Sequence, residues 1–145
     1  MTRFLQGVVA GLAVVAVTLG APTARAEILS YKAVLAGSHE IPPNQSKGAG
    51  TVTLSYDTAA KTLSWKGNHS GLSGPVTAAH FHGPAALGKN AGIALAIANG
   101  ALPAEFEGST PLTEAQAADL MAGRWYLNLH TAAFPAGEIR GQVVK

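Results

Sequence analysis

The sequence predicts an all-β, immunoglobulin-like Greek-key sandwich with one short helix. The apolar segments beyond residue 26 are short and rich in β-branched and aromatic residues, and clusters of Gly, Pro, Asn and Ser separate them. Only one of these segments has a helical pattern. With 145 residues, of which 48% are hydrophobic and 12% charged, the chain can form one packed domain and is too apolar for a disordered tail.

The first 26 residues predict a secretory signal peptide. Arg3 supplies the positive start, residues 8–19 are a mostly apolar run, and an A-x-A cleavage sequence ends at Ala26. The apolar run is too short to span a bilayer comfortably as a helix. We therefore expect cleavage after Ala26, a periplasmic or secreted protein that begins at Glu27, and no membrane span in the mature chain.

The predicted mature chain, residues 27–145, has no net charge. Cleavage removes Arg3 and Arg25, so the basic residues fall from 10 to 8 and balance the 8 acidic residues. Because no basic surplus remains, we expect no nucleic-acid partner. The chain has no cysteine, which excludes a disulfide framework, a thiol nucleophile and a thiolate-bound metal.

Seven strands are predicted from short runs with alternating or continuous apolar residues. In the second run, Val52, Leu54 and Tyr56 alternate with Thr and Ser. The third run returns after a turn at residues 57–61, and the last two form a closing pair around a turn at residues 132–136. The predicted strands are residues 28–35, 50–56, 62–67, 76–82, 93–97, 124–131 and 137–144.

One helix of about nine residues interrupts the strands. Thr113 and Gln116 have the spacing of a capping box, in which a hydroxyl and a side chain three residues later satisfy the first free N–H groups. Good helix formers follow. Gly123 stands where a left-handed residue ends a helix.

The sharpest chemical feature is a pair of histidines on one predicted strand. Side chains at positions i and i+2 of a strand project from the same face, so His80 and His82 share a face and Phe81 points to the other. Phe81 is the natural core residue. We therefore expect both histidines to face away from the core.

His130 is expected to join this pair. Leu127 and Leu129 belong in the core, so His130 faces outward, and it lies beside the H-x-H pair if the two strands are neighbours. Neutral imidazole is a ligand that both copper and zinc accept. The three histidines therefore predict a metal site, and the lack of a sulfur ligand excludes a blue-copper centre.

Other polar side chains give weaker signals. His69 lies in a predicted loop, and Glu40 either reaches the metal or ends a strand before two prolines. The weaker candidate ligands are His69, Glu40 and His39. Three outer-face side chains are expected to support the ligands: Asn128, Glu138 and Arg140. For the last two, which alternate on the final strand, a structural ion pair with a neighbouring strand is the simpler interpretation.

No catalytic residue is predicted. The sequence contains no Ser–His–Asp order, nucleophile elbow, phosphate-binding loop or dinucleotide fingerprint. Asp57 and Asp119 lie in a predicted turn and in the helix, so they do not form the carboxylate pair of a hydrolase.

Five stretches of the sequence resemble the CHRD domain, a module named from chordin and widespread in exported bacterial proteins. They are residues 35–43 (L-x-G-x-x-E-x-P-P), 71–85, 112–123, 125–131 and 135–142. The resemblance covers nearly the whole predicted mature chain and implies a single CHRD domain over residues 27–145. It also implies an interaction role, since in chordin-type proteins the domain stands among modules that bind extracellular growth factors.

The H-x-H-G segment, residues 80–83, is also similar to the copper strand of Cu/Zn superoxide dismutases, which are Greek-key sandwiches. The similarity implies His80 and His82 as copper ligands and His130 as the later copper histidine. The loop at residues 83–92 contains no histidine or aspartate, so the bridging ligand and the zinc subsite are missing. A copper-only site is therefore favoured over a full dismutase.

Two functions remain open from the sequence. One is an exported metal-binding protein, with copper favoured over zinc. In this protein a homodimer partner could complete the ligand shell. Redox chemistry on superoxide would need an open coordination position on the copper. The other is a non-catalytic module that binds a protein or a cell-surface partner. Converging imidazole nitrogens would support the first function, and histidines directed at carboxylates or carbonyls would support the second.

Overall fold

A computed structural model describes residues 25–145, so the predicted signal peptide lies almost wholly outside the described residues. The described chain forms eight strands, one α-helix and a short 3-10 helix at Gly37–His39, and none of its helices is long and apolar enough to cross a bilayer. The elements are β1 Ile28–Ala36, β2 Ala49–Asp57, β3 Thr62–Ser70, β4 Val76–His82, β5 Ile93–Ala98, β6 Glu105–Pro111, α1 Glu114–Met121, β7 Tyr126–Thr131 and β8 Ile139–Gln142.

The strands form one antiparallel sheet in the order β5-β4-β7-β8-β1-β2-β3-β6, and this sheet folds over on itself. In a flat sheet, β4 and β3 would lie five strand spacings, or about 24 Å, apart. The rings of Phe81 on β4 and Trp65 on β3 are instead in edge-to-face contact, with centroids 5.8 Å apart. The sheet therefore makes two packed layers, β5-β4-β7-β8 (the β4 layer) and β1-β2-β3-β6 (the β2 layer).

The two layers are joined where β8 meets β1. Ala36 pairs with Arg140, and further along Lys32 and Val144 exchange two backbone hydrogen bonds of 2.8 and 2.9 Å. By contrast, β1, β2 and β3 pair along their whole lengths. The fold class predicted from the sequence, all-β with one short helix, is confirmed.

The core lies between the layers and follows the predicted alternation. On β2, Val52, Leu54 and Tyr56 are buried, and on β7, Leu127 and Leu129 are fully buried. Alternate side chains on each strand point away from this core. The outward positions of β4 and β7 are the ones that carry the histidines.

One strand was missed by the sequence analysis. In β6, Phe106 is the only large apolar residue among two glutamates, a glycine and a proline, so the strand signal is weak. The glycine has a packing reason, since a Cβ on Gly108 would overlap the ring of Trp65. β3 is also longer than predicted, so the placement of His69 in a loop was wrong: it pairs with Gly50 of β2.

The helix has the predicted capping box. The Thr113 hydroxyl accepts from the backbone N–H of Gln116, and the Gln116 side chain accepts from the backbone N–H of Thr113. The same glutamine donates to the carbonyl of Ala94 on β5 at 2.8 Å. The helix therefore covers part of a sheet edge that would otherwise present free backbone groups.

The ion-pair interpretation of Glu138 and Arg140 was wrong. Glu138 precedes β8, is fully buried, and accepts hydrogen bonds from the hydroxyls of Ser46, Ser73 and Thr131 and from the backbone N–H of Ser73. Burial raises the pKa of Glu138, but these hydrogen bonds outweigh it and hold the pKa below its ordinary value. A carboxylate surrounded by donors is satisfied without a countercharge.

Replacing Glu138 by Gln is expected to lower the free energy of unfolding by about 2–3 kcal/mol, because hydrogen bonds to a buried charged group are lost and an amide N–H₂ then faces other donors. Urea denaturation at pH 7 measures this loss. Glu105→Gln, an equal change on an exposed side chain, is the control and should stay within about 0.5 kcal/mol. Equal stabilities of the two variants would show that Glu138 is not a structural anchor.

Candidate metal centre

Strand alternation and strand pairing together place three histidines on the outer face of the β4 layer. Phe81 is fully buried in the core, so its neighbours His80 and His82 point outward. β4 pairs with β7, and His130 is opposite Ala78, the residue two positions before His80. His130 is therefore the diagonal neighbour of the pair, as the sequence predicted for neighbouring strands.

The three imidazole rings form a compact cluster. Their centroids are 5.2 Å apart for His80 and His130, 5.6 Å for His80 and His82, and 6.1 Å for His82 and His130. One nitrogen of each ring lies within 4.8 Å of the others. His80 Nδ1 and His130 Nε2 are 3.4 Å apart, which is about the separation of two nitrogens bound to one ion at 2.0–2.1 Å with tetrahedral angles.

Backbone carbonyls set the tautomers of two rings. His82 Nδ1 lies 3.0 Å from the carbonyl oxygen of Ala91, and His130 Nδ1 lies 3.0 Å from that of Pro135. A carbonyl oxygen only accepts hydrogen bonds, so each Nδ1 carries the proton and each Nε2 keeps its lone pair. Both free lone pairs belong to nitrogens of the cluster.

The third ring is oriented by a side-chain amide. His80 Nε2 lies 3.3 Å from Oδ1 of Asn99, and with the amide in this orientation Nε2 carries the proton and Nδ1 keeps the lone pair. His82 Nε2 is buried and has no hydrogen-bond partner among the described residues. The lone pairs of His80 and His130 thus face each other, His82 Nε2 is unpartnered in the described chain, and each ring is held from behind in the way metal-binding histidines usually are.

Protonation is disfavoured on two of the three rings. Burial lowers the pKa of His82, and the other two histidines lower it further. Burial also lowers the pKa of His130. Since both groups favour the neutral form, the rings keep the lone pairs that a metal requires.

An aromatic and cationic stack supports His82. Its ring is parallel to that of Tyr126, with centroids 4.9 Å apart and 4° between the planes. The Arg140 guanidinium lies 3.5 Å above the Tyr126 ring and donates to Asn90 Oδ1 and the Lys89 carbonyl.

The Tyr126 hydroxyl completes this support. It accepts a hydrogen bond from the N–H of Ala91 and donates one to the carbonyl of Ala91. That carbonyl also accepts a hydrogen bond from His82 Nδ1. The stack therefore holds the loop that fixes the tautomer of His82.

A buried amide–carboxyl contact lies beside the cluster. Asn128 is opposite His80 on β7, and its Nδ2 donates to both carboxylate oxygens of Glu40 at 2.9 and 3.0 Å. Burial raises the pKa of Glu40 to about 7, against the lowering effects of Asn128 and Arg140. Gly137 leaves room for this contact, since a Cβ there would overlap both Asn128 and Glu40.

The three weaker candidate ligands lie away from the cluster. His39 is exposed, and its Nδ1 is 3.2 Å from the carbonyls of Val34 and Arg140. His69 lies on β3 of the other layer, beside the ring of Phe106. Glu40 is bonded to Asn128. Within residues 25–145, the group of three or more residues that can hold a metal ion consists of His80, His82 and His130.

The supporting side chains differ in part from the predicted ones. No hydrogen bond joins a clustered histidine to Asn128, Glu138 or Arg140 in the described chain; Arg140 acts through Tyr126. The groups that do orient the rings were not predicted: the carbonyls of Ala91 and Pro135, the Asn99 amide and the Tyr126 ring. Asn99, which follows a predicted strand, and Tyr126, two residues before the outward Asn128, are visible in the sequence. Orientation of a ring by a backbone carbonyl leaves no signal in the sequence.

Replacing Glu40 by Gln should remove a pH dependence of stability. The carboxyl has an ordinary pKa of 4.5 and a raised pKa of about 7 in the folded protein, so the folded state binds more protons between these values. Stability from this group is therefore present below pH 4.5 and declines as the pH rises to about 7. Urea denaturation at pH 5, 6, 7 and 8 should show that Glu40→Gln becomes more stable relative to the unsubstituted protein as the pH rises. Parallel plots of unfolding free energy against pH for the two proteins would contradict the assignment.

The comparison with known families confirms the predicted resemblance to the CHRD domain. The family model described as the CHRD domain matches residues 31–143, a range that includes all three clustered histidines and their supporting loops. No curated protein and no solved structure matches the chain significantly. The similarity to superoxide dismutases therefore rests on residues 80–83 and His130 alone. The match extends over most of the sequence, and the chain belongs to the CHRD domain family.

Proposed function

We propose that this CHRD-domain protein is exported and binds one copper ion through His80 Nδ1, His82 Nε2 and His130 Nε2. The convergence of three imidazole rings, with one nitrogen of each within 4.8 Å of the others, carries the proposal. Each ring also has its other nitrogen directed at a carbonyl or amide oxygen, which is the feature expected from the non-metal alternative, so both features are present in one cluster. The carbonyls orient the rings, and the free nitrogens face one another.

A cation is the partner that this arrangement lacks. His80 Nδ1 and His130 Nε2 lie 3.4 Å apart, and two lone pairs at that distance repel unless a proton or a metal ion lies between them. In the uncharged pair, the proton between the two nitrogens would have to lie on His80 Nδ1 and not on the Nε2 that faces Asn99, and the lowered pKa of His130 disfavours an additional proton at neutral pH. A metal ion bound to both nitrogens removes the repulsion and satisfies the buried Nε2 of His82.

Copper is favoured over zinc by affinity and by compartment. Among divalent first-row metals, sites with nitrogen ligands bind copper most tightly. The predicted signal peptide supports a location outside the cytoplasm, where copper handling is common, and the CHRD family fits an extracellular or periplasmic module. A water molecule or a group from a partner chain would fill the remaining coordination position. The proposal is for binding, and it assigns no catalytic step.

Copper titration of the metal-free protein is expected to give one ion per chain. The copper(II) EPR spectrum should show nitrogen hyperfine structure, and copper should displace zinc. The triple variant His80→Ala/His82→Ala/His130→Ala should lose both the binding and the spectrum.

The controls are His39→Ala and His69→Ala, which remove imidazoles outside the cluster and should bind copper as the unsubstituted protein does. Copper affinity that is equal in the triple variant and in these controls would overturn the proposed site. Tighter binding of zinc than of copper would overturn the choice of metal.

Substitutions of Tyr126 test the support of His82. Tyr126→Phe keeps the stacked ring and loses the hydroxyl bonds to Ala91, whereas Tyr126→Leu loses both. We expect the affinity for copper to fall in that order, with a loss of about tenfold or more for Leu, as for other side chains that orient metal ligands. Competition with a copper chelator measures the affinity, and circular dichroism confirms folding. An unchanged affinity in folded Tyr126→Leu would contradict this role.

A further inference from the structure

The loop that follows β5 contains an asparagine that is prone to lose its side-chain amide. Of the five asparagines in the sequence, Asn99 is the only one followed by a glycine, Gly100. Loss of the amide begins when the backbone nitrogen of the next residue attacks the side-chain carbon Cγ. Glycine favours this attack, because it has no Cβ to obstruct the approach and its backbone is flexible. Asn99 is also exposed, so solvent reaches the reacting atoms.

The amide nitrogen of Asn99 is less restrained than those of the other asparagines. In each of the other four, Nδ2 donates a hydrogen bond to an oxygen of another residue; these are Asn44, Asn68, Asn90 and Asn128. Within residues 25–145, Nδ2 of Asn99 makes no hydrogen bond, and neither does the N–H of Gly100. No contact of the described chain therefore holds back the attacking nitrogen or the leaving nitrogen.

His80 polarises the amide that is attacked. Its Nε2 lies 3.3 Å from Oδ1 of Asn99. When a nucleophile adds to Cγ, negative charge develops on Oδ1, and an N–H donated to that oxygen stabilises the charge. His80 is only 8% exposed, so the core and its neighbours hold the donor in place. The amide of Asn99 thus has a fixed hydrogen-bond donor on its oxygen and a glycine nitrogen beside its carbon.

We propose that Asn99 is a site of spontaneous deamidation and that the aspartate formed there strengthens the copper site. The first half depends on the loop and on His80 alone. The second half rests on the proposed copper function.

The reaction needs only water. The backbone nitrogen of Gly100 gives up its proton to solvent and forms a bond to Cγ of Asn99. The bond from Cγ to Nδ2 then breaks, and Nδ2 takes up a proton and leaves as ammonia. Water opens the resulting five-membered imide at either carbonyl. One product has the normal backbone and a side-chain carboxylate in place of the amide, and the other is isoaspartate. No atom is oxidised or reduced.

The carboxylate affects the tautomer of His80. A side-chain amide can accept from Nε2 or, when turned over, donate to it, whereas a carboxylate only accepts. In the turned-over arrangement, the proton of His80 lies on Nδ1, which is 3.4 Å from Nε2 of His130, and the lone pair that copper requires is lost. A carboxylate at residue 99 excludes that arrangement. Its charge-assisted hydrogen bond also holds the ring more firmly, as carboxylates do behind metal-binding histidines.

Peptide mass spectrometry of the metal-free protein during incubation at pH 7 and pH 9 tests the first half. Conversion of amide to acid should appear at Asn99 before any other asparagine, and faster at pH 9, because the attacking nitrogen must lose its proton. Asn68 and Asn90, which are also exposed, are controls within the chain. Conversion of Asn99 no faster than that of these two would overturn the proposal.

Two variants assign the cause of this conversion. Gly100→Ala adds a Cβ that meets no other atom within 4 Å, yet it obstructs the attack, so Asn99 should lose its lead over Asn68 and Asn90. His80→Ala removes the donor to Oδ1 and should slow the conversion. Circular dichroism confirms folding of both variants. An unchanged or higher rate in His80→Ala would contradict the role of His80.

Copper affinity, measured by competition with a chelator, tests the second half. Asn99→Asp, which is the normal-backbone product, should bind copper about fivefold more tightly than freshly purified protein, the gain expected when a hydrogen bond becomes charge-assisted. Asn99→Ala should bind about tenfold more weakly. Asn68→Asp, the same change on β3 of the other layer, is the control for added charge and should leave the affinity unchanged. Equal affinities of Asn99→Asp and Asn68→Asp would overturn this half.

Nitrogen NMR of the metal-free Asn99→Asp variant adds a readout that does not involve copper. The shifts of His80 should show the proton on Nε2, and a proton on Nδ1 would contradict the proposed effect. The two halves fail separately. Preferential conversion of Asn99 with no copper binding by any variant would overturn the copper site and leave the modification site standing. Copper binding without preferential conversion would overturn the modification site alone.

Discussion

The burial of Phe81 determines where the histidine cluster forms. Its ring packs between Trp65 of the other layer and Trp125, with centroid distances of 5.8 and 5.6 Å. A fully buried aromatic side chain is worth several kcal/mol, far more than any exposed imidazole, so the hydrophobic core fixes which face of β4 points inward. His80 and His82 therefore lie on the outer face, and no interaction of their own is needed to place them there.

Loops partly bury the histidines of this outer face and orient them. In the β2 layer, outward positions carry small polar residues such as Ser64 and Ser109, which bond each other at the surface. In the β4 layer, the segments that contain Glu40, Ala91 and Pro135 lie over the outward side chains and contact them. These segments exclude water from the rings, which lowers the local dielectric constant, and they supply the carbonyls of Ala91 and Pro135 that orient two of the rings. Burial and ring orientation therefore have one structural cause.

The alternation on β4 and β7 predicted the outward faces of the three histidines, because the period of a strand is fixed and the apolar partners are unambiguous, but their clustering was predicted only on condition that the two strands are neighbours. β6 was not found, since one phenylalanine gives too little pattern. The pairing of Glu40 with Asn128 and the acceptor groups behind the rings were not found either. These contacts join residues up to 88 positions apart, or use main-chain atoms that every residue has. Local patterns carry no information on them.

His80 and His130 are 50 positions apart in the chain, and the folded sheet alone brings them to 3.4 Å. An unfolded chain offers at most the H-x-H pair, so an ion bound by all three rings selects the native state and is released on unfolding. A polypeptide that crosses a membrane before it folds carries no ion at this site. If the protein is exported and binds metal as proposed, the bound metal would be the one available in the compartment where folding takes place, and the order of events along the export route would contribute to metal selection alongside the ligands.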